Sequence, residues 1–435
     1  MKRSIVAALA ILAFGTLVTT AHAQTLVTPP AWLNTSVGAT TDRDLAYNPA
    51  TGNLLLTRSS PAILRLKSSD GTSAGADMDL TGVSGGTYTV SGIAVLDDGT
   101  IFVCNYVTGS QSAIPLKIYQ WNNETGQATM VASVTGMPGA TTDRFGAAMD
   151  AFVRPGVSTN LLIAGNTTYA WLAIFDSSGW TFKQLTFSSY SQTLVPSGSF
   201  VDYGAPGYAN QFRVVGKSRG AGGRLYSFDP AATSPIAMSS VAMGAPFTFV
   251  ANGITSHDYN PATRLLAGTT STVQASPWSF TNILCSTVNG VASPTVLSSV
   301  TSFATGADGG QACATVLAGD GRLYTAVSAA GGGVTAFDIT AFLVSNPGSV
   351  IATNNDPSAA LSPVFGGSSL SFTWKRGSDV LYDPAKYSGT NGSSLTISNL
   401  ALADAGTYTV TVSGPNSSSA TASVVLFVNS GPVGN

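Results

Sequence analysis

Residues 38–58, GATTDRDLAYNPATGNLLLTR, read as a loop, a short apolar strand, a tight turn and a second apolar strand. Two pieces of this stretch return verbatim, GATTDR at 139–144 and YNPAT at 259–263. The offsets are 101 residues (38 to 139) and 212 residues (47 to 259). They come close to twice and four times a unit of roughly 50 residues, the size of a propeller repeat.

Between 24 and 344 the same order of elements is written six times. An inner apolar strand comes first, at 45–47, 92–96, 146–149, 199–201, 254–259 and 313–317. Turns rich in Asn, Asp, Gly and Pro come after it, as at 48–53, 97–99, 260–263 and 319–321, and such residues join antiparallel strands. The strongest strand of each unit is next: LLLT from Leu54, IFVC from Ile101, LLIAG from Leu161, LLAG from Leu265. A third strand with alternating aromatics and a vaguer fourth complete the unit. Four short strands repeated radially predict an all-β fold, a six-bladed β-propeller at 24–344, with seven blades as the alternative. The sixth unit is short of strands, whereas 25–33 is a spare strand before the first. Pairing the two would close the ring and remove an open edge.

The N-terminus bears on compartment. Lys2 and Arg3 precede an apolar run from Ile5 to Val18, and Ala21-His22-Ala23 supplies the small residues a signal peptidase needs. That run is too short to span a bilayer comfortably, so residues 1–23 are expected to be a cleaved secretory signal. No later stretch is apolar for long enough to cross a membrane, and the mature chain is expected to be secreted, periplasmic or held at the cell surface. Without Lys2 and Arg3 the chain carries 17 basic and 21 acidic residues. No basic stripe exists, which argues against a nucleic-acid partner. Charged residues are only 9% of the chain and Glu124 is its single Glu. Helices lack their usual Glu/Lys surface here, whereas β-branched and turn residues abound.

The stretch at 345–369 is rich in Pro, Ser, Asn and Gly and reads as a linker that grades into the next domain without a distinct start. From 370 to 429 the pattern changes, and 430–435 is a tail. An alternating strand ends in Trp374, SLTISNL (394–400) is another, and Asp404-Ala405-Gly406-Thr407-Tyr408 comes next. These residues resemble the immunoglobulin fold of the intermediate or variable type over roughly 351–428. The resemblance implies a tyrosine corner carried by Asp404, Gly406 and Tyr408, and a core tryptophan at Trp374. Val410 stands where that family places its second cysteine, so the sheets would be held by apolar packing alone. The DLAYNPATGNLLL opening and the segment DLTGVSGG (79–86) also look like a family of secreted bacterial proteins of uncharacterised function.

Chemistry-bearing residues are scarce. His257 is the only imidazole after the leader, which excludes multi-histidine metal sites and c-type haem. Cys104, Cys285 and Cys313 each sit in apolar surroundings and read as buried thiols. Gly82-Val83-Ser84-Gly85-Gly86 matches the nucleophile-elbow pattern, but strand-forming residues come next, where a helix is required. Paired carboxylates for glycoside hydrolysis are hard to assemble from Asp residues that mostly fall in turns. Nothing calls for a cofactor or a metal.

The remaining candidates are the repeated loops. Asp42-Arg43 and Asp143-Arg144 stand just before the inner strands of units one and three, and His257-Asp258 lies on that of unit five. Inner strands line a propeller's channel, so these charges are expected to converge near one mouth as a binding site. The bland reading is that each Asp caps its loop while each Arg braces neighbouring blades. A binding module for a glycan, a peptide or a surface polymer fits best. A purely structural envelope protein and a propeller hydrolase or lyase are the alternatives. Intact-mass measurement of exported protein should find a chain beginning at Gln24; one retaining Met1 would contradict the assignment of 1–23.

Overall fold

Apolar runs of three to five residues, punctuated by Asn, Asp and Gly turns, leave this chain little choice but short antiparallel strands. The computed structural model describes residues 24–38, 42–108, 114–135, 144–164, 169–187, 194–218, 222–243, 254–271, 278–287, 290–305, 312–328 and 332–430. The expected leader at 1–23, Asp143 and residues 431–435 lie outside them.

The strands open with β1 (Trp32–Gly38), β2 (Asp42–Asn48), β3 (Asn53–Arg58) and β4 (Ala62–Lys67), of which β2, β3 and β4 form the first sheet. Next come β5 (Ile93–Val95), β6 (Ile101–Cys104), the two-residue β7 (Val107–Thr108), β8 (Leu116–Trp121) and β9 (Thr129–Val134). All of these but β7 make the second sheet, while β7 pairs with β10 (Arg144–Phe145). The third sheet is β11 (Ala148–Arg154), β12 (Ser158–Ala164), β13 (Tyr169–Asp176) and β14 (Gly179–Phe187). The fourth is β15 (Leu194–Tyr203), β16 (Phe212–Ser218), β17 (Gly222–Phe228) and β18 (Ile236–Ala242). The fifth is β19 (Ile254–Asn260), β20 (Leu265–Ser271), β21 (Trp278–Ser286) and β22 (Thr295–Thr305). The sixth has β23 (Ala312–Leu317), β24 (Arg322–Ser328) and β25 (Gly332–Asp338).

The first strands touch in a closed circuit: β2 meets β5, then β11, β15, β19 and β23 come in turn, and β23 returns to β2. The result is a propeller-like ring of antiparallel sheets. Its sixth sheet is completed by β1, which pairs with β25 from Trp32 opposite Ala336 to Gly38 opposite Gly332. The strand expected at 25–33 thus does join the last unit, but β1 begins later, with Leu26 bridging Ile339 and the Val27 and Ala31 amides bonding to Asp338 and Ala336 ahead of it. The third and fourth sheets merge, because β14 and β18 pair in parallel with Leu185 opposite Ile236. Apolar clusters fill the gaps between sheets, as where Leu45, Leu54 and Leu56 meet Ala314, Tyr324 and Ala336.

The chain leaves the ring through β26 (Phe342–Ser345) and enters a second unit. Its strands are β27 (Ser349–Thr353), β28 (Ser358–Leu361), β29 (Val364–Gly366), β30 (Ser371–Arg376), β31 (Asp379–Val380), β32 (Tyr387–Ser388), β33 (Leu395–Ser398), β34 (Gly406–Ser413) and β35 (Ser419–Asn429). One sheet runs β27-β35-β34-β30-β31 and the other β28-β33-β32, and Trp374, Leu395, Ile397, Tyr408, Val410 and Val424 share the core between them. The Tyr408 hydroxyl donates to the Asp404 carbonyl at 2.9 Å, and Trp374 Nε1 donates to Gly392 O at 2.9 Å. Residues 345–369 are not the linker their composition suggested, since β27, β28 and β29 lie there and β29 pairs with β26. The two units press together at Gly321, where a Cβ would stand 2.0 Å from the Gly367 carbonyl oxygen. With φ at +81°, this turn position suits glycine, and here contact as well as conformation demands it. No helix of the described residues is long and apolar enough to cross a membrane.

Glu124, the single Glu, braces the first two sheets. It is 3% exposed and collects hydrogen bonds from Asn48 Nδ2 (2.8 Å), Asn53 Nδ2 (2.8 Å), Arg65 Nε (2.7 Å) and the Thr51 hydroxyl. Burial works against ionisation, but those donors outweigh it and hold the carboxyl below its ordinary range. Glu124→Gln would leave Arg65 without its buried partner and should cost about 2–3 kcal/mol in urea unfolding. A variant as stable as the parent would show that this brace contributes nothing.

Candidate functional site

Sequence placed the candidate site where the inner strands begin, and the structure divides those residues between two places. Asp42 opens β2 at 1% exposure, and Arg58 of β3 claims it with Nε 2.8 Å from Oδ1 while also donating to Val37 O at 2.8 Å. Burial pushes the Asp42 carboxyl up to about 6 against the pull of Arg58. Asp42 is therefore a brace within its own sheet rather than part of an open face.

Alternation along β2 sends Arg43 the other way. Its guanidinium carbon lies 4.1 Å from the ring centroid of Tyr88, a cation–π distance. Tyr88 stacks on Tyr106 with centroids 5.2 Å apart, and the Tyr106 hydroxyl is hydrogen-bonded to Arg144. Arg144 is exposed and held in place by the β7–β10 pairing, which sets it opposite Thr108. Arginines from the two repeated hexapeptides thus do meet, on one tyrosine pair that forms an isolated bridge beside the second sheet. Among the described residues no ion pair includes Arg43 or Arg144, and Arg43 Nε is buried with no acceptor.

His257 and Asp258 lie elsewhere, in a cavity of about 430 Å³ lined by the inner strands. Two carboxylates that sequence reading passed over, Asp44 and Asp150, join them there. Each of the three Asp residues belongs to an odd-numbered sheet and does the same task. Asp44 Oδ2 accepts the Ile93 N–H at 3.0 Å and the Met149 N–H at 3.2 Å. Asp150 Oδ2 accepts the Phe200 N–H at 2.6 Å, and Asp258 Oδ2 accepts the Leu317 N–H at 2.8 Å. Oδ1 of each takes the amide of the next residue in the chain, at 3.0, 2.8 and 2.8 Å. Ser199 Oγ also donates to Asp258 at 2.9 Å. Their spacing of 106 and 108 residues (44 to 150 to 258) repeats the two-unit period, so the signal was present in the sequence. It falls outside the verbatim repeats, one residue past the first hexapeptide at Asp44, six past the second at Asp150, and just before YNPAT at Asp258.

Burial pushes the Asp44 and Asp150 carboxyls up to about 7 and that of Asp258 up to about 6. The backbone amides pull the other way without cancelling it, and the Asp residues raise one another further. Cys104 and Cys285 are buried free thiols, pushed up to about 12 by that burial, and the side chain of Cys313 is outside the described residues. Ser84 of the GxSxG stretch lies in irregular chain, its carbonyl accepts from the Tyr119 hydroxyl at 2.8 Å, and no helix comes after it. Among the described residues no three His, Cys, Asp or Glu side chains are grouped to hold a metal ion.

No family model matches this chain, and no curated protein matches it. The crystal structure of a DUF4623 family protein from Bacteroides eggerthii is similar over 69% of this chain and 71% of its own, at 16% identity and a TM-score of 0.50. The RRP9 WD40 repeats are similar over 69% of this chain and 94% of theirs, at 12% identity and a TM-score of 0.39. The RIG-5 IG1 homodimer covers 21% of this chain and 98% of its own, at 15% identity and a TM-score of 0.18. The first likeness bears on the fold alone, and the other two are too loose to carry more.

The channel carboxyls have a consequence for pH. With folded values near 6–7 against 3.8 for the free side chain, the folded protein binds more protons than the unfolded chain between those limits. Stability contributed by these groups is therefore highest at low pH and is lost as pH rises through about 4 to 7. Urea unfolding should give a more stable protein at pH 5 than at pH 8, and the triple variant Asp44→Asn, Asp150→Asn, Asp258→Asn should flatten that slope. A wild type more stable at pH 8 would contradict the raised values.

Proposed function

We propose that this chain is an exported, non-enzymatic binding protein of the cell envelope whose ligand is an acidic glycan or surface polymer. The observation that carries the reading is the meeting of Arg43 and Arg144 on the stacked Tyr88–Tyr106 pair, with no carboxylate paired to either arginine among the described residues. Guanidinium groups present planar forks of donors suited to carboxylates and to sugar hydroxyls, and tyrosines add rigid apolar area with a polar tip. We read the closed circuit of six first strands as a six-bladed propeller. The two-sheet unit is read as an immunoglobulin-like domain without its cysteine pair, on the Tyr408–Asp404 bond and the buried Trp374. It serves as a spacer or adhesive module in this scheme. A purely structural role draws its support from Asp42, which is spent on Arg58, and from the inter-sheet bonds of the channel.

Polygalacturonate immobilised on a sensor surface should retain the wild-type protein, with dextran as the neutral control. Arg43→Ala combined with Arg144→Ala should weaken that binding at least tenfold, since charge-assisted hydrogen bonds contribute about 1.5–3 kcal/mol each. The melting temperature should move little, because a lone cation–π contact is worth only about 0.5–2 kcal/mol and Arg43 Nε gives up no hydrogen bond. A double variant that melts several degrees lower and still binds would make the arginines braces and place the site elsewhere.

A further inference from the structure

The merged third and fourth sheets line a second, open cleft of about 500 Å³ at the turns that join β11 to β12, β13 to β14, β15 to β16 and β17 to β18. Among the described strands, this is the one place where two sheets of the ring continue into each other through their outermost strands. The cleft beside that pairing is of a size that suits a small ligand.

Its walls hold charges that the fold leaves unspent. Arg154 lies with its guanidinium carbon 3.9 Å from the Tyr203 ring centroid, a cation–π distance, and lines the pocket. Tyr203 in turn packs on Phe212 at 4.9 Å, which fixes the platform. Lys183 donates to the carbonyls of Pro230 (2.6 Å) and Ala232 (3.0 Å), which immobilises its ammonium and leaves one of three donors over. No ion pair among the described residues includes Arg154 or Lys183. Asp176 and Asp229 each use Oδ1 to take a turn amide, from Ser178 and Ala231 at 2.8 Å, and keep Oδ2 free of donors among the described residues. Immobilised cations and acceptors around one pocket are complementary to a ligand that carries a carboxylate and several hydroxyls.

We infer that this pocket binds a uronic acid unit, its carboxylate taken by Arg154 and Lys183 and its hydroxyls by the free oxygens of Asp176 and Asp229. This is a site separate from the arginine–tyrosine face, and it stands whether or not that face binds. Calorimetric titration of the full chain with galacturonic acid should give saturable binding, and galactose should bind at least tenfold more weakly. Arg154→Gln should lower the affinity for galacturonic acid at least tenfold, whereas Arg43→Ala with Arg144→Ala should leave it unchanged. Asp229→Asn keeps the turn acceptor, so it preserves the fold if Arg154→Gln does not, and it should weaken binding several-fold. The inference is overturned by a wild type that does not bind, by equal binding of the acid and the neutral sugar, or by binding lost only in the Arg43/Arg144 variant.

Discussion

A ring of sheets around a channel has a difficulty that a sandwich does not: each inner strand has one edge with no neighbouring strand to pair with. Backbone N–H groups on that edge need acceptors, and an unsatisfied buried amide costs about 1–3 kcal/mol. Here the acceptors are Asp44, Asp150 and Asp258, each reaching from an odd-numbered sheet to the first strand of the next even-numbered one. The even-numbered sheets return only amides and hydroxyls, from Ile93, Ser199, Phe200 and Leu317. The structural unit is thus a pair of sheets, one giving a carboxylate and one receiving it. That pairing explains why verbatim repeats recur after two or four units and never after one.

The same chemical group behaves in opposite ways at two depths of the ring. Glu124 is as buried as any channel Asp, yet a guanidinium, two amide side chains and a hydroxyl keep it ionised. Among the described residues no Lys or Arg pairs with the channel carboxyls, so burial decides and raises their pKa values. In a chain with so few charges, each of these carboxylates is either fully matched or left to titrate near neutrality. Asp42 stands between these cases, paired with Arg58 but with one oxygen buried and unmatched.

The strand order was legible because alternation, turn residues and repeats all point the same way. Ring closure was legible too, from a surplus strand at one end and a deficit at the other, although β1 formed at Trp32–Gly38 and not at 25–33. The convergence of Arg43 and Arg144 followed from their shared hexapeptide, but nothing in that hexapeptide announced Tyr88 and Tyr106, which come from separate segments joined by an isolated bridge. Composition misled at 345–369, since short strands in a small domain need only a few apolar positions, such as Ala359 and Leu361. The merging of β14 with β18 joins residues about 50 positions apart through backbone bonds, and backbone bonds leave no side-chain signature. The channel Asp residues were visible as letters and invisible as a set, because their common property is the amide each one faces.

Closure by β1 also sets how the ring would respond to tension. Antiparallel pairing places Trp32, where the chain enters β1, opposite Ala336, close to where β25 ends and the chain departs for the second unit. Thr25, Val27 and Ala31 extend the same seam, bonding to Thr340, Asp338 and Ala336. A pull between the N-terminus and the C-terminal unit would therefore act on both strands from one end. Under such loading the bonds break in succession, like a zipper, instead of resisting together in shear. A protein tethered at both extremities would yield first at that seam, at a modest force, with the remaining five sheets still intact.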